Sequence, residues 1–146
     1  IPLYADCAYL HDYVVQAEGA FDQTVVGLHN LARYQQKIEI RVVLHKQTYQ
    51  RLPRLAEFIY RNFPFVEHVA LMGLELMGYT KTNLADLWID PVEYQRELRA
   101  AVNVFALANV NVSIYNLQLC ILPRELWSYA RKAISDFKNI FFDSHF

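Results

Sequence analysis

The sequence predicts an α/β fold, a partial parallel (β/α) barrel of about four β/α units that forms a single domain over residues 1–146. Short runs of β-branched residues alternate with amphipathic helical stretches, a pattern typical of parallel strands joined by right-handed crossovers. One strand has an apolar face and a mixed face, which favours a barrel wall over a doubly wound sheet. Because only about four strands are found, we expect the barrel to stay open, with two unpaired edges.

The strands are predicted from short apolar runs, at residues 1–6, 38–44, 66–72 and 112–115, and the first of them is expected to open into a polar turn. On the second strand the even-numbered residues from Ile38 to Leu44 are all apolar, whereas the odd-numbered positions include Glu39 and Arg41. A central strand of a doubly wound sheet is expected to be apolar on both faces. The mixed face therefore predicts helices outside the barrel and a polar lumen inside it.

Helix-start signals separate the strands, and they predict helices at residues 22–34, 52–63, 90–109 and from 123 onward. Asp22 is a good N-cap for the first helix, and Pro53 stands in the first turn of the second, where a missing N–H costs little. Asp90 followed by Pro91 gives the third helix an N-terminal signature. The last helix begins at Pro123 on the same argument.

Composition excludes several classes of protein. Hydrophobic residues make up 54% and charged residues 20%, which predicts a packed core rather than disorder. A net charge of −1 without a basic block argues against nucleic-acid binding. No apolar run approaches the roughly 20 residues of a membrane span, and no signal peptide is recognised, so a cytoplasmic protein is predicted. Cys7 and Cys120 fit a reduced compartment and are too few to hold a metal cluster.

Polar side chains follow each predicted strand directly. Because the carboxyl ends of parallel strands meet on one rim, we expect these side chains to lie close together. They are Tyr4, Asp6, His11 and Asp12 after the first strand, His45, Lys46, Gln47 and Thr48 after the second, Gly73, Glu75, Gly78, Tyr79 and Lys81 after the third, and Asn116, Gln118 and Cys120 after the fourth. The longest connection, residues 74–89, lies at the same end, where loops commonly carry function.

Motif spacing excludes several kinds of site. No close-spaced ligand motif joins His11, His45 and Glu75, so no metal site is predicted. No Gly-rich phosphate loop follows a strand, neither cysteine lies in a nucleophile motif, and no serine-hydrolase elbow is present. Arg41 is a lone charge that needs an acidic partner, which is either the nearby Glu39 or a carboxylate or phosphate-like group of a ligand.

Two long segments resemble radical S-adenosylmethionine (radical SAM) enzymes that modify peptides. Over residues 3–59 the resemblance rests on an aspartate after a short strand, the His11–Asp12 pair, a Gly-x-Phe-Asp helix start, and a strand with the polar tail VVLHKQT. Residues 69–102 and 112–122 look most like the radical SAM maturase of His-Xaa-Ser peptide systems. The resemblance covers nearly the whole chain.

The resemblance implies half of a TIM-like barrel, the C-terminal β/α units of a six-unit radical SAM barrel. In that family a Cys-x-x-x-Cys-x-x-Cys loop binds a [4Fe-4S] cluster and a Gly-Gly-Glu segment holds the methionine amine, and the chain has neither motif. The chain, which begins at Ile1, is therefore expected to be a fragment or truncated copy of a peptide-modifying maturase and to be inactive alone. A peptide substrate and a cluster-bearing partner are implied.

A partial S-adenosylmethionine site is also implied by the resemblance. The implied cofactor-binding residues are Asp6, Arg41, His45, Met72, Gly73, Glu75, Asn116 and Gln118. Arg41 and His45 match the region where related enzymes hold the ribose and carboxylate, and the residues after the third and fourth strands of this chain lie near the adenine. Asp6 matches an aspartate of the family, but Cys7 stands where the family usually has glycine.

Two other classes of function stay open on the sequence. Exposed strand edges favour a non-catalytic binding module that completes a barrel with a partner chain or with a second copy of itself. A small stand-alone α/β enzyme is the other class, with Glu75, His45 and Lys81 as acid, base and cation.

Overall fold

The structure, a computed structural model, describes residues 1–131. An open sheet of three parallel strands lies at its centre, with β1 at Glu39–Leu44, β2 at His68–Gly73 and β3 at Asn111–Tyr115. The strands lie in the order β1-β2-β3, so that neighbours in the sheet are also consecutive in the chain. Glu39 lies opposite His68, which lies opposite Asn111, and this register aligns the three strands at their amino ends. The mixed α/β class and the parallel sheet confirm the coarse prediction of the fold.

A short extended segment flanks the sheet on each side. Pro2 forms a parallel bridge with Arg41, and Ala130 forms one with Ile114. The N–H of Leu3 donates to the carbonyl of Arg41 at 3.0 Å. The predicted first strand is therefore a single bridge rather than a full strand, and only three of the four predicted strands form.

The outer edge of the N-terminal segment has few backbone N–H groups free to pair with another strand. Leu3 turns its backbone toward β1, so the N–H positions that face away belong to residues 2 and 4. Pro2 has no N–H, and the N–H of Tyr4 donates to Nδ1 of the buried His11 at 3.2 Å. Neither outward position on this stretch of the edge therefore has an N–H free to donate to an added strand.

Helices and 3₁₀ turns connect the strands. They are α1 at Ala8–Val15, α2 at Ala20–Arg33, α3 at Leu52–Asn62, α4 at Tyr79–Thr82, α5 at Leu84–Leu87, α6 at Gln95–Leu107, and two 3₁₀ helices at Tyr49–Arg51 and Arg124–Tyr129. The prediction for α3 is confirmed to within a residue, including Pro53 in its first turn. The long loop over residues 74–89 contains α4 and α5. No helix within residues 1–131 is long and apolar enough to cross a membrane.

Three predicted helix boundaries are wrong. The N-cap of α2 is Gly19, and Asp22 lies within its first turn. The helix predicted from residue 90 begins only at Gln95, because Asp90 closes a separate turn: its Oδ1 accepts from the N–H of Val92 at 2.9 Å. The helix predicted from Pro123 is a short 3₁₀ helix followed by extended backbone, and the rest of that prediction lies outside the described residues.

The core lies on one face of the sheet, beneath α3 and α6. These two helices pack against each other, and both supply side chains to the apolar cluster that also holds the even-numbered residues of β1. The buried set includes Ile40, Val42, Leu44, Leu55, Ile59, Leu98, Val102 and Phe105. On the other face of β1, Glu39, Arg41 and Val43 are only partly buried. The predicted division of the strand into an apolar and a mixed face is therefore confirmed.

The turn between α1 and α2 is held by Asp12. Its two carboxylate oxygens accept hydrogen bonds from the N–H groups of Gly19 and Phe21, each at 2.7 Å. A carboxylate at this position accepts hydrogen bonds from N–H groups that have no partner within the helix. Its negative charge also interacts favourably with the positive end of the helix dipole. Asp12, half of the His-Asp pair that supports the family resemblance, therefore holds the start of α2 in place.

Replacing Asp12 by alanine is expected to lower the free energy of unfolding by about 1–2 kcal/mol, the cost of a lost helix cap that carries charge. Asp22→Ala is the matched control, because Asp22 is exposed in the first turn of the same helix. Urea unfolding followed by circular dichroism measures both. Equal losses in the two variants would contradict a capping role for Asp12.

Candidate functional site

A cleft of about 810 Å³ opens at the carboxyl ends of β1 and β2, between α1 and the loop that holds α4 and α5. Five of the eight residues assigned to the cofactor in the sequence analysis line it: His45, Met72, Gly73, Glu75 and Asn116. They lie at or just after the carboxyl ends of β1, β2 and β3, and the parallel register brings these ends to the same edge of the sheet. The structure therefore places five of the eight assigned residues around one space, while many other residues of the predicted rim lie outside it.

The other three predicted residues lie outside this cleft. The carboxylate of Asp6 accepts two hydrogen bonds from the guanidinium of Arg51, at 2.7 and 2.8 Å. Nε of Arg41 lies 2.7 Å from Oε1 of Glu39, so the guanidinium takes the nearby acid rather than a ligand anion as its partner. Gln118, which follows β3, lines two smaller depressions instead.

His45 is the most unusual side chain of the cleft. It directly follows β1, is only 2% exposed, and neither of its ring nitrogens has a hydrogen-bond partner among the described residues. Burial lowers the pKa of His45 to about 4, so the imidazole is neutral at physiological pH. A buried imidazole without partners costs free energy, and a ligand that supplies a partner recovers it. Both ring nitrogens are covered in this structure, so the wall of the cleft over His45 would have to open before a ligand could pair with either of them.

Gly73 and Asn116 fix the rim where β2 and β3 end. A Cβ at Gly73 would lie 2.6 Å from the carbonyl oxygen of Asn116 and 2.7 Å from Cδ2 of Leu117, so only glycine permits this approach. Asn116 has a φ of 57°, in the left-handed region that asparagine tolerates better than most residues. Its Nδ2 donates to Oε1 of Glu75 at 2.6 Å, which holds the carboxylate at the mouth of the cleft.

A second polar cluster, at the amino ends of the strands, escaped sequence reasoning. Oε2 of Glu39 lies 2.8 Å from Nδ1 of His68, whose Nε2 lies 2.9 Å from Oγ of Ser113. Burial raises the pKa of the Glu39 carboxyl, but hydrogen bonds from Arg41 and His68 outweigh burial and hold that pKa below its usual range. These residues lie on three different strands, and only the register, which no sequence motif records, brings them together.

This cluster has the spacing of an acid-histidine-serine triad without the access that a nucleophile needs. Ser113 is only 1% exposed, and its hydroxyl is already paired with Nε2 of His68. The chain of hydrogen bonds instead joins β1, β2 and β3 across the face opposite α3 and α6, and a satisfied polar network of this kind stabilises the pairing of the strands. The cluster is therefore structural.

The thiols of the chain do not fit an iron-sulfur cluster. Cys7 is partly buried and Cys120 is exposed, and both are free. A [4Fe-4S] cluster is held by about four thiolates, so two cysteines do not suffice. Within the part of the chain that the structure describes, no group of three or more His, Cys, Asp or Glu residues is arranged to hold a metal ion.

The residues of the cleft combine a few polar groups with apolar walls. His45 offers two unpartnered ring nitrogens, Asn116 and Glu75 supply polar atoms at the mouth, and Met72 supplies an apolar wall. A predominantly apolar cleft with a few polar groups is the usual form of a small-molecule site. Among protein-family models and curated proteins, none matches this chain.

Proposed function

We propose that this chain is the S-adenosylmethionine-binding part of a cytoplasmic radical SAM enzyme that modifies peptides. The observation that carries the proposal is the convergence of five residues, each assigned to the cofactor by resemblance, on one cleft at the carboxyl ends of parallel strands. The chain-order sheet, with bridges on both sides, supports a partial (β/α) barrel of about four units as its architecture.

Four residues of the cleft would hold the cofactor. His45 and Asn116 would hydrogen-bond to the ribose and adenine, Glu75 would face the cationic part of the molecule, and Gly73 would let the adenine approach the backbone. In this family the chemistry that the cofactor supplies is reductive cleavage to a carbon-centred radical, and the electrons come from a [4Fe-4S] cluster. Because the cysteines of this chain do not fit that cluster, its ligands would come from residues outside the chain.

The mouth of the cleft supports a peptide as the substrate. The loop that holds α4 and α5 exposes several apolar side chains beside the cleft, of which Met77 is 69% and Tyr79 88% exposed. Exposed apolar side chains that rim a cleft are typical of a surface that binds a peptide or a protein. In the proposed enzyme these residues would contact the peptide while the cofactor lies beneath it.

Calorimetric titration of the purified chain with S-adenosylmethionine tests the proposal. Saturable binding is expected, and His45→Leu should weaken it at least about tenfold, because a ligand loses a hydrogen bond in a buried place. His29→Leu is the matched control, since His29 is exposed on α2 outside the cleft. The absence of binding to the wild-type chain, or equal affinities for the two variants, would overturn the proposal.

A further inference from the structure

The cleft at the carboxyl ends of β1 and β2 carries charge of one sign. Among the described residues that line it, Glu75 alone has a side chain that is charged at neutral pH. Its carboxylate accepts a hydrogen bond from Asn116 and forms no ion pair with any residue in the described range. His45, at the floor, is a neutral imidazole and adds no positive charge. The cleft therefore presents one uncompensated negative charge.

The basic side chains of β1 and of the segments around the cleft, Lys81 of α4 among them, do not line the cleft. The guanidinium of Arg41 binds Glu39, and that of Arg51 binds Asp6. Nζ of Lys46 donates to a backbone carbonyl in α5 at 3.1 Å, outside the cleft. A ligand carboxylate placed in the cleft would therefore lose water without gaining a cationic partner among the residues that line the cleft, and an unpaired buried charge is costly.

These contacts also define the form of the preferred ligand. Val43 and Met72 give the inner wall an apolar surface, and the buried His45 adds one polar position to it. The carboxylate of Glu75 stands at the mouth. We infer that the cleft selects organic cations without a carboxylate group, with an apolar or aromatic body inside and the cationic group at Glu75. The inference adds a charge preference to the proposed function. It rests on that function only for the expectation that the body of the ligand is an adenosyl group.

The size of the preference follows from the exposure of Glu75. Its side chain is exposed to solvent, so a charge beside it is attracted far less than it would be in a buried pair. Each unit of ligand charge should therefore change affinity by about three- to tenfold at low ionic strength. The preference should shrink as salt is added, because ions screen charges at the surface.

Three adenosyl compounds separate charge from shape. S-adenosylmethionine carries a sulfonium, an ammonium and a carboxylate; its decarboxylated form lacks the carboxylate, and S-adenosylhomocysteine lacks the sulfonium charge. Calorimetry should rank decarboxylated S-adenosylmethionine above S-adenosylmethionine, and this above S-adenosylhomocysteine. Glu75→Gln should reduce these differences to less than about twofold, whereas Glu57→Gln, a change of the same kind on the exposed surface of α3, should leave the ranking intact.

The outcomes distinguish this inference from the proposed function. Binding of S-adenosylmethionine without the ranking by charge, or a ranking that survives in Glu75→Gln, overturns the inference and leaves the proposed function standing. Binding of the decarboxylated compound without binding of S-adenosylmethionine supports the inference and overturns the proposed function. No binding of any of the three compounds overturns both.

Discussion

Replacing Gly73 by alanine is expected to lower the free energy of unfolding by about 1–3 kcal/mol, the usual cost of forcing an extra methyl group into a filled space. The new Cβ would lie 2.6 Å from the carbonyl oxygen of Asn116, and a backbone atom cannot move aside as the end of a side chain can. Either β2 or the turn after β3 must shift. Because Asn116 also holds Glu75, the same change should weaken ligand binding in the cleft.

Gly27→Ala is the matched control for this prediction. Gly27 lies within α2, and a Cβ there would meet nothing within 4 Å. Alanine favours the helix over glycine, so this variant should be more stable than the wild type by up to about 1 kcal/mol. Urea unfolding curves of the two variants should therefore move in opposite directions. A Gly73→Ala variant as stable as the wild type would contradict the close approach of β2 to the turn after β3.

The stability of the chain is expected to fall by about 3 kcal/mol between pH 7 and pH 4 through His45 alone. The pKa of His45 is about 4 in the folded chain, against 6.5 for an unperturbed histidine. Above pH 6.5 the imidazole is neutral in both states and favours neither. Below pH 6.5 the imidazole is protonated in the unfolded chain but stays neutral in the folded chain, so the free energy of unfolding decreases as the pH falls. The decrease ends near pH 4, where the imidazole of the folded chain is protonated as well.

His45→Leu tests this prediction in two ways. The variant should be more stable than the wild type at pH 5, because an apolar side chain replaces a buried imidazole without partners. Its stability should also depend less on pH between 6.5 and 4. Some dependence should remain, because burial lowers the pKa of His11 as well. Parallel curves for wild type and variant over this range would show that His45 does not titrate as its burial requires.

Local patterns in the sequence were enough to predict the helices and strands that carry strong signals. The alternation from Ile38 to Leu44 predicts which face of β1 is buried, and Pro53 predicts the start of α3. The sequence predicts a polar turn where α1 lies, and that prediction is wrong. Cys7, which precedes α1, makes no side-chain capping bond, so no start signal was available. At Asp90 a start signal was present but did not begin a helix, because an aspartate side chain can cap a turn as well as a helix.

The direction of the strands could be predicted from the sequence, and it decides which rim residues lie together; the register could not, and it decides which side chains pair across the sheet. Residues that follow parallel strands meet on one rim whatever the register is, which is why His45, Gly73 and Asn116 were brought together. The sequence left Arg41 a choice between a nearby acid and a ligand. In the structure Arg41 pairs with Glu39, two residues away on the same face of β1. The register of the strands also brings His68 to Glu39 as a second partner. No local motif records such a pairing.

The outer edge of the N-terminal segment has no free N–H at residues 2 and 4, and this affects how another strand can pair with it. An incoming strand would meet Pro2, which has no donor, and then Tyr4, whose donor already serves His11. Growth of the sheet by strand addition, the first step of fibril-like stacking, is therefore hindered on this side. A neighbouring half of a barrel that paired with the N–H of Tyr4 would have to displace the imidazole of His11. Such docking would therefore change the environment of His11, a buried histidine.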